Sequence, residues 1–156
     1  MAAAMTLAAK EKGGPKIDFQ LLLYPVTDAS LSTESYQIYA DGPWLTKKAM
    51  IWFWQAYAPD EKDRKNIMAS PLNAAPEQLK GLPPALIITD ENDVLRDEGE
   101  AYARKLNDAG VEVTAVRFNG TIHDFMMLNP IADTMPTRTA VLLAISKLRE
   151  VLKIRV

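Results

Sequence analysis

The chain has 156 residues, of which 48% are hydrophobic and 24% are charged, and its formal net charge is −2. This length suits one domain with a real core, and the composition is typical of a globular protein rather than a disordered one. The net charge is small and both signs are interleaved along the chain. The sequence therefore does not indicate a basic surface that would bind nucleic acid or an anionic membrane.

Residue types that are absent or rare exclude further kinds of site. The chain has no cysteine, which excludes a disulfide framework, a thiol nucleophile and a thiolate metal site. Its single histidine, His123, excludes a multi-histidine zinc or iron centre. No stretch approaches the roughly 18 apolar residues of a membrane span, and the first residues lack the basic region of a signal peptide. We therefore expect a soluble, cytoplasmic protein without a metal site.

The predicted elements alternate between helices and strands from the start of the chain. Residues 1–12 are rich in Ala, Met, Leu and Lys, which predicts a helix that ends at the following Gly-Gly-Pro sequence. The nearly continuous apolar run over residues 19–26 is typical of a strand buried on both faces. A second helix, capped by Thr46, then runs to about Tyr57.

The alternation continues through the rest of the chain. Residues 84–89 are predicted to form a second buried strand, residues 97–107 an amphipathic helix, and residues 111–118 a third, more exposed strand. A long helix over residues 134–154 closes the chain. This order predicts an α/β fold, with a parallel sheet and helices on both of its faces.

Two residues at the predicted carboxyl edge of the sheet could carry chemistry. Asp93 follows the second strand after a short turn, and His123 follows the third strand. Because ligands of such sheets bind beyond the carboxyl ends of the strands, we expect these side chains near each other. A carboxylate there can orient an imidazole, which can take a proton from an alcohol and return it to a leaving group. Each residue also has a simpler interpretation, as an ordinary polar residue of a loop.

Two other groups of side chains have structural explanations. Acidic residues around Asp93 are most simply explained as ordinary polar residues of a loop and of a helix N-terminus, where the helix dipole favours negative charge. They are Asp90, Glu91, Asp97, Glu98 and Glu100. Aromatic residues of the helix before Tyr57 suit core packing better than the lining of a substrate pocket. They are Trp52, Phe53, Trp54 and Tyr57.

The serines do not complete a triad. None has the small flanking residues that a strained nucleophile turn requires, and no Gly-rich oxyanion loop is present. The five serines are Ser30, Ser32, Ser35, Ser70 and Ser146. The sequence therefore offers an acid and a histidine without a credible nucleophile.

These segments together resemble the hormone-sensitive-lipase-like family of α/β-hydrolases, which contains bacterial esterases and lipases. The segment LPPALIITDENDVLRDEGEAYARKLNDAGVEV is similar to the acid-bearing segment of the family, with Asp93 at the position of the catalytic acid. The segment RFNGTIHDF is similar to the histidine segment, with His123 at the catalytic position. Upstream, GGPKIDFQLLLYPVTD and DGPWLTKKAMIWFWQAYAP resemble the strand and helix between the nucleophile and the acid.

The resemblance covers nearly the whole chain but only the C-terminal half of the family's domain. It implies a single partial α/β-hydrolase domain over residues 1–156, with the nucleophile half and the cap outside it. The family's G-D-S-A-G-G motif would then lie just before Met1. One internal departure is Asp124, where the family commonly has Gly. This carboxylate would favour a charged imidazole if it points inward, and it could equally point to solvent.

The resemblance implies a carboxylic-ester hydrolase for short- to medium-chain acyl esters, using a Ser-His-Asp triad and no metal or organic cofactor. Only Asp93 and His123 of such a triad are present, so we expect little or no esterase activity from the chain alone. Half of a parallel sheet exposes an unpaired strand, which predicts a homo-oligomer or an N-terminal fragment of the same enzyme as a partner. Two alternatives stay open: half of a two-fragment hydrolase, and a noncatalytic α/β binding module.

Overall fold

A computed structural model describes residues 1–154 of the chain and contains a parallel sheet of three strands in the order β1-β2-β3. The strands are β1 (Gln20–Leu23), β2 (Ala85–Asn92) and β3 (Val113–Ile122). In the register of the sheet, Leu22 lies opposite Ile87, and Ile87 lies opposite Ala115. The predicted parallel sheet is confirmed.

Seven α-helices connect and cover the strands within residues 1–154. They are α1 (Ala2–Lys12), α2 (Glu34–Ile38), α3 (Lys47–Tyr57), α4 (Glu61–Arg64), α5 (Pro76–Leu79), α6 (Arg96–Asp108) and α7 (Met135–Val151). The sequence predicted the four long helices and not α2, α4 and α5, because four or five residues are too few to show a helical period. None of the helices described is long and apolar enough to cross a membrane.

The bounds of the strands differ from the predicted ones for local reasons. The apolar run of β1 stops being a strand at Tyr24, whose φ of 35° turns the backbone. Strand β2 continues past its apolar residues to Asn92, because Asn92 still pairs with Ile122 of β3. Strand β3 therefore also ends later than predicted. Helix α7 ends at Val151, and Lys153 has a left-handed φ of 54°.

Alternate residues of the strands face helices on opposite sides of the sheet. On one side, Leu22 and Ile87 pack against the buried faces of α1 and α6. On the other side, Leu86 and Ile88 pack with Ala140 of α7. Because successive side chains of a strand point to opposite faces, the apolar runs of β1 and β2 bury both faces at once. The predicted α/β architecture, with helices on both faces, is confirmed.

Helix α3 forms a separate cluster next to the carboxyl edge of the sheet. Its buried Trp54 belongs to the same cluster as Val94 and Leu95, which lie in the loop after β2. The predicted cap is present, because Oγ1 of Thr46 accepts a hydrogen bond from the backbone N–H of Ala49 at 3.1 Å. The cap fixes where α3 begins, and α3 in turn packs against the loop that carries Asp93.

Candidate active site

Asp93 and His123 meet at the carboxyl edge of the sheet. Asp93 directly follows β2, and His123 directly follows β3. Oδ2 of Asp93 lies 2.8 Å from Nδ1 of His123, and the two side chains are 1% and 14% exposed. A buried carboxylate at this distance accepts the Nδ1–H of the imidazole, which leaves Nε2 as the nitrogen that can exchange protons. The structure thus brings together the two side chains that the sequence predicts to be close.

Neighbouring groups hold both members of this pair. Oδ1 of Asp93 accepts a hydrogen bond from the backbone N–H of Leu95 at 3.0 Å. The ring of Tyr24 packs edge-on against the imidazole of His123, with centroids 4.9 Å apart. The left-handed φ of Tyr24, 35°, is unusual for a bulky residue and places its ring at this edge of the sheet. Unusual backbone of this kind concentrates at functional sites, and here it belongs to the residue whose ring lies against the imidazole.

Asp124 points towards the imidazole. Its Oδ1 lies 3.5 Å from Nε2 of His123, and its Oδ2 accepts a hydrogen bond from Nε1 of Trp44 at 3.1 Å. The inward direction that the sequence left open is therefore the observed one. The φ of Asp124 is 65°, a conformation that Gly adopts freely and Asp tolerates, which explains why Gly suits this position.

An apolar cavity of about 310 Å³ lies beside His123. Its wall includes residues of α1, of α3 and of the loops after β1 and β2, among them Ala4, Val26, Phe53, Trp54, Tyr57 and Leu95. Trp54 is 3% exposed and belongs to the core, whereas Trp52, Phe53 and Tyr57 are 62%, 48% and 66% exposed. Core packing therefore explains Trp54 and is wrong for the other three aromatic residues, because α3 turns only one face to the core.

Two acidic residues that the sequence interpretation assigned to a loop and a helix terminus are fully buried. Asp90 and Glu98 are both 0% exposed. Asp90 lies on β2, two residues after Ile88, and so continues the face that Ile88 buries. Glu98 lies one turn before the buried Tyr102 on α6. The period of two along β2 and the spacing of four along α6 are the signals that indicate their burial.

Potential metal ligands come together at one place within residues 1–154. One ligand atom each from Asp90, Asp93 and His123 lie within 4.8 Å of one another. However, Oδ2 of Asp93 and Nδ1 of His123 already bond to each other, and Oδ1 of Asp93 accepts the N–H of Leu95. The arrangement suits proton transfer better than metal binding.

Comparison with known proteins identifies the family. The profile of the alpha/beta hydrolase fold matches residues 1–127 of the chain. The chain belongs to the hormone-sensitive-lipase-like α/β-hydrolases. The match is to the C-terminal portion of the relatives.

The relatives of this α/β-hydrolase chain include named esterases. The crystal structure of a thermostable esterase from Pseudomonas putida ECU1011 is 60% identical, with a TM-score of 0.88 over 89% of this chain and 44% of that one. An ethyl acetate hydrolase of Pseudomonas putida is 39% identical over 81% of this chain and 38% of that protein. A protein of Acanthamoeba polyphaga mimivirus named as an α/β hydrolase is 43% identical over 97% of this chain and 44% of that protein. The chain therefore spans less than half the length of these relatives.

Four of the five serines of this α/β-hydrolase chain have other partners than the imidazole. Ser35 and Ser70 are buried, and their hydroxyls donate to main-chain carbonyls at 2.7 and 2.6 Å. Ser30 and Ser32 hydrogen-bond to each other in the loop after β1. Over residues 1–154, no serine hydroxyl forms a hydrogen bond with His123. The described part of the chain offers an imidazole–carboxylate pair without a hydroxyl at Nε2.

Proposed function

We propose that this chain is the acid-and-histidine half of a carboxylic-ester hydrolase. The observation that carries the proposal is the 2.8 Å contact between the buried carboxylate of Asp93 and Nδ1 of His123. Relatives named as esterases and as an ethyl acetate hydrolase support esters as the substrate class. Asp93 and His123 are the catalytic residues that we assign to this chain.

In the proposed reaction, a serine hydroxyl attacks the ester carbonyl while Nε2 of His123 takes its proton. Asp93 keeps the imidazole oriented and stabilises its charged form. His123 then gives the proton to the departing alkoxide, which is released as the alcohol. The acyl group remains bound to the serine. A water, deprotonated by His123 in the same way, attacks the acyl group, and His123 returns this proton to the serine oxygen as the carboxylic acid is released. We propose that this serine lies in a part of the enzyme outside the chain.

The cavity beside His123 supports an ester with a short or medium acyl chain. Its volume of about 310 Å³ is at the small end of the range for ligand pockets, and its wall is mainly apolar. A noncatalytic module would need neither a direct contact between Asp93 and His123 nor a cavity beside them. Both features therefore support the hydrolase over the noncatalytic alternative.

The open edge of β1 supports a partner for this chain. Within residues 1–154, β1 pairs with β2 alone, so its other edge presents unpaired backbone groups. We propose that an N-terminal portion of the same enzyme covers this edge and supplies the serine, and that copies of the isolated chain cover it for one another. A chain without cysteine fits a reducing compartment, and we propose the cytoplasm.

A fusion protein tests this function directly. The chain is joined to the N-terminal portion of the Pseudomonas putida ECU1011 esterase that the structural match leaves uncovered. We expect the fusion to hydrolyse p-nitrophenyl acetate and the chain alone to do so weakly or not at all. His123→Ala and Asp93→Asn in the fusion should each lower kcat by about 10³-fold or more.

The control for Asp93→Asn is Asp133→Asn, which changes an exposed acid and should leave kcat unchanged. Full activity of the fusion after His123→Ala would refute the role of His123. Hydrolysis by the isolated chain at the rate of the fusion, abolished by His123→Ala, would show that no outside serine is needed.

A further inference from the structure

Asp90 is a second carboxyl group next to the Asp93–His123 pair, and the proposed reaction does not use it. It is fully buried on β2, and neither of its oxygens accepts a hydrogen bond from a donor in residues 1–154. Its ligand atom lies within 4.8 Å of those of Asp93 and His123. Buried polar atoms without partners are rare in native proteins, so this carboxyl group needs an explanation.

The surroundings of Asp90 determine which carboxyl group holds a proton. Asp93 and Asp124 both place negative charge near Asp90, and the phenol of Tyr24 is a further neighbour. No Lys or Arg of the described residues forms an ion pair with Asp90. Between two adjacent buried carboxyl groups without a cation, ionisation of the first strongly disfavours ionisation of the second. One of the two therefore keeps a proton at neutral pH.

Hydrogen bonds decide between Asp90 and Asp93. The carboxylate of Asp93 accepts the N–H of Leu95 at 3.0 Å and lies 2.8 Å from Nδ1 of His123. Asp90 has no donor of this kind, so its charged form is the less favourable one. In agreement, burial and then the charge of Asp93 raise the pKa of Asp90 to about 9.

We propose that Asp90 is a positioning residue, which stays protonated and donates a hydrogen bond to the carboxylate of Asp93. Together with the bond from the N–H of Leu95, this bond would hold the carboxylate of Asp93 in the orientation in which Oδ2 faces Nδ1 of His123. It also leaves the pair of acids with one negative charge. The consequence for catalysis rests on the proposed function, whereas the hydrogen bond is a property of the chain itself.

The single histidine makes the bond measurable without any activity. In the chain labelled with ¹⁵N, the only imidazole signals come from His123, and their shifts report which ring nitrogen carries the proton. Asp90→Asn keeps a donor of the same shape as the protonated acid, and Asp90→Ala removes it. We expect the wild type and Asp90→Asn to show the Nδ1–H form, and Asp90→Ala to show a mixture of both forms.

A titration of the wild type provides a second measurement that does not need the alanine variant to fold. The ¹⁵N shifts of His123 should show a step at about pH 9, where Asp90 loses its proton. The step should be absent from Asp90→Asn. Glu98→Gln serves as the control, since it changes another buried carboxyl group that does not contact the pair, and it should keep both the Nδ1–H form and the step.

Three results would overturn the inference. They are loss of the Nδ1–H form in Asp90→Asn, an unchanged tautomer in Asp90→Ala, and a wild-type titration without the step. In the fusion protein, Asp90→Asn should retain kcat and Asp90→Ala should lower it by about 10- to 100-fold. If the fusion is inactive while the ¹⁵N results are as expected, the proposed function fails and the role of Asp90 stands.

Discussion

Glu98 connects two parts of the chain through a buried carboxyl group. Its Oε1 accepts the backbone N–H of Thr27 at 2.6 Å and that of Asp28 at 3.1 Å. In return, Oγ1 of Thr27 donates to the main-chain oxygen of Glu98 at 2.8 Å. Burial raises the pKa of Glu98 to about 8, although these backbone bonds act in the opposite direction. The loop after β1 is thereby tied to α6.

The raised pKa makes the stability of the chain depend on pH through Glu98. The pKa of Glu98 is above its ordinary value of 4.5, so the stabilisation is complete below pH 4.5 and is lost as the pH rises through about 8. Glu98→Gln has the shape of the protonated acid and keeps an oxygen for both N–H groups. We expect it to match the wild type near pH 4.5 and to be the more stable protein at about pH 8.

Urea unfolding at a series of pH values measures this difference. Over the window between the two pKa values, the free energy of unfolding of the wild type should fall relative to Glu98→Gln by up to roughly 1.4 kcal/mol per pH unit. Ionisation of Asp90 lowers the free energy of unfolding of both proteins by the same amount, so this contribution cancels in the comparison. Glu77→Gln, at an exposed glutamate, is the control and should follow the wild type. Parallel curves for wild type and Glu98→Gln would contradict the assignment.

The sequence predicts the side chains at strand ends better than those inside elements. The proximity of Asp93 and His123 follows from two strands of one parallel sheet ending at the same edge. The apolar run of the sequence does not indicate the burial of Asp90, because β2 continues past its last apolar residue. The direction of Asp124 depends on a left-handed backbone at a single turn, which no spacing of residues indicates.

At the scale of the elements, α3 determines both the cavity wall and the packing of the loop that carries Asp93. One face contributes Trp54 to the cluster with Val94 and Leu95, and the next face contributes Phe53 and Tyr57 to the cavity. The helix was predictable from its period and its cap. Its division into a core face and a cavity face was not, because both faces carry aromatic residues.

The N-terminal cap of α3 gives a prediction for this element. Thr46→Ala removes the acceptor of the 3.1 Å bond from the N–H of Ala49 and should lower the free energy of unfolding by about 1 kcal/mol. Thr46→Ser keeps the hydroxyl and should stay within a few tenths of a kcal/mol of the wild type. Urea unfolding of the three proteins gives the comparison. Equal stability of Thr46→Ala and the wild type would show that the cap contributes nothing.

At the scale of the whole molecule, the alternation of helices and strands was sufficient to predict the architecture. Each crossover from one strand to the next parallel strand carries a helix, and the handedness rule for such crossovers leaves few arrangements. The observed order β1-β2-β3 is the simplest of them, since each strand lies beside the one before it. The positions of the short helices between the strands depend on contacts with the core. Such contacts cannot be read from the local pattern of residues in the sequence.

The open sheet edge predicts that the isolated chain associates with itself. Strand β1 has the apolar sequence of an internal strand, yet within residues 1–154 it pairs on one side only. Exposed apolar side chains nearby, such as Met5 on α1, add to the surface that needs cover.

Sedimentation velocity of the chain alone should show dimers or larger species, and the fusion protein, in which this edge is covered, should sediment as smaller assemblies. Because strand pairing and apolar contact drive the association, added salt should not dissolve it, as it would an assembly held by surface charge. A monodisperse monomer of the isolated chain would contradict both self-association and the need for an N-terminal partner.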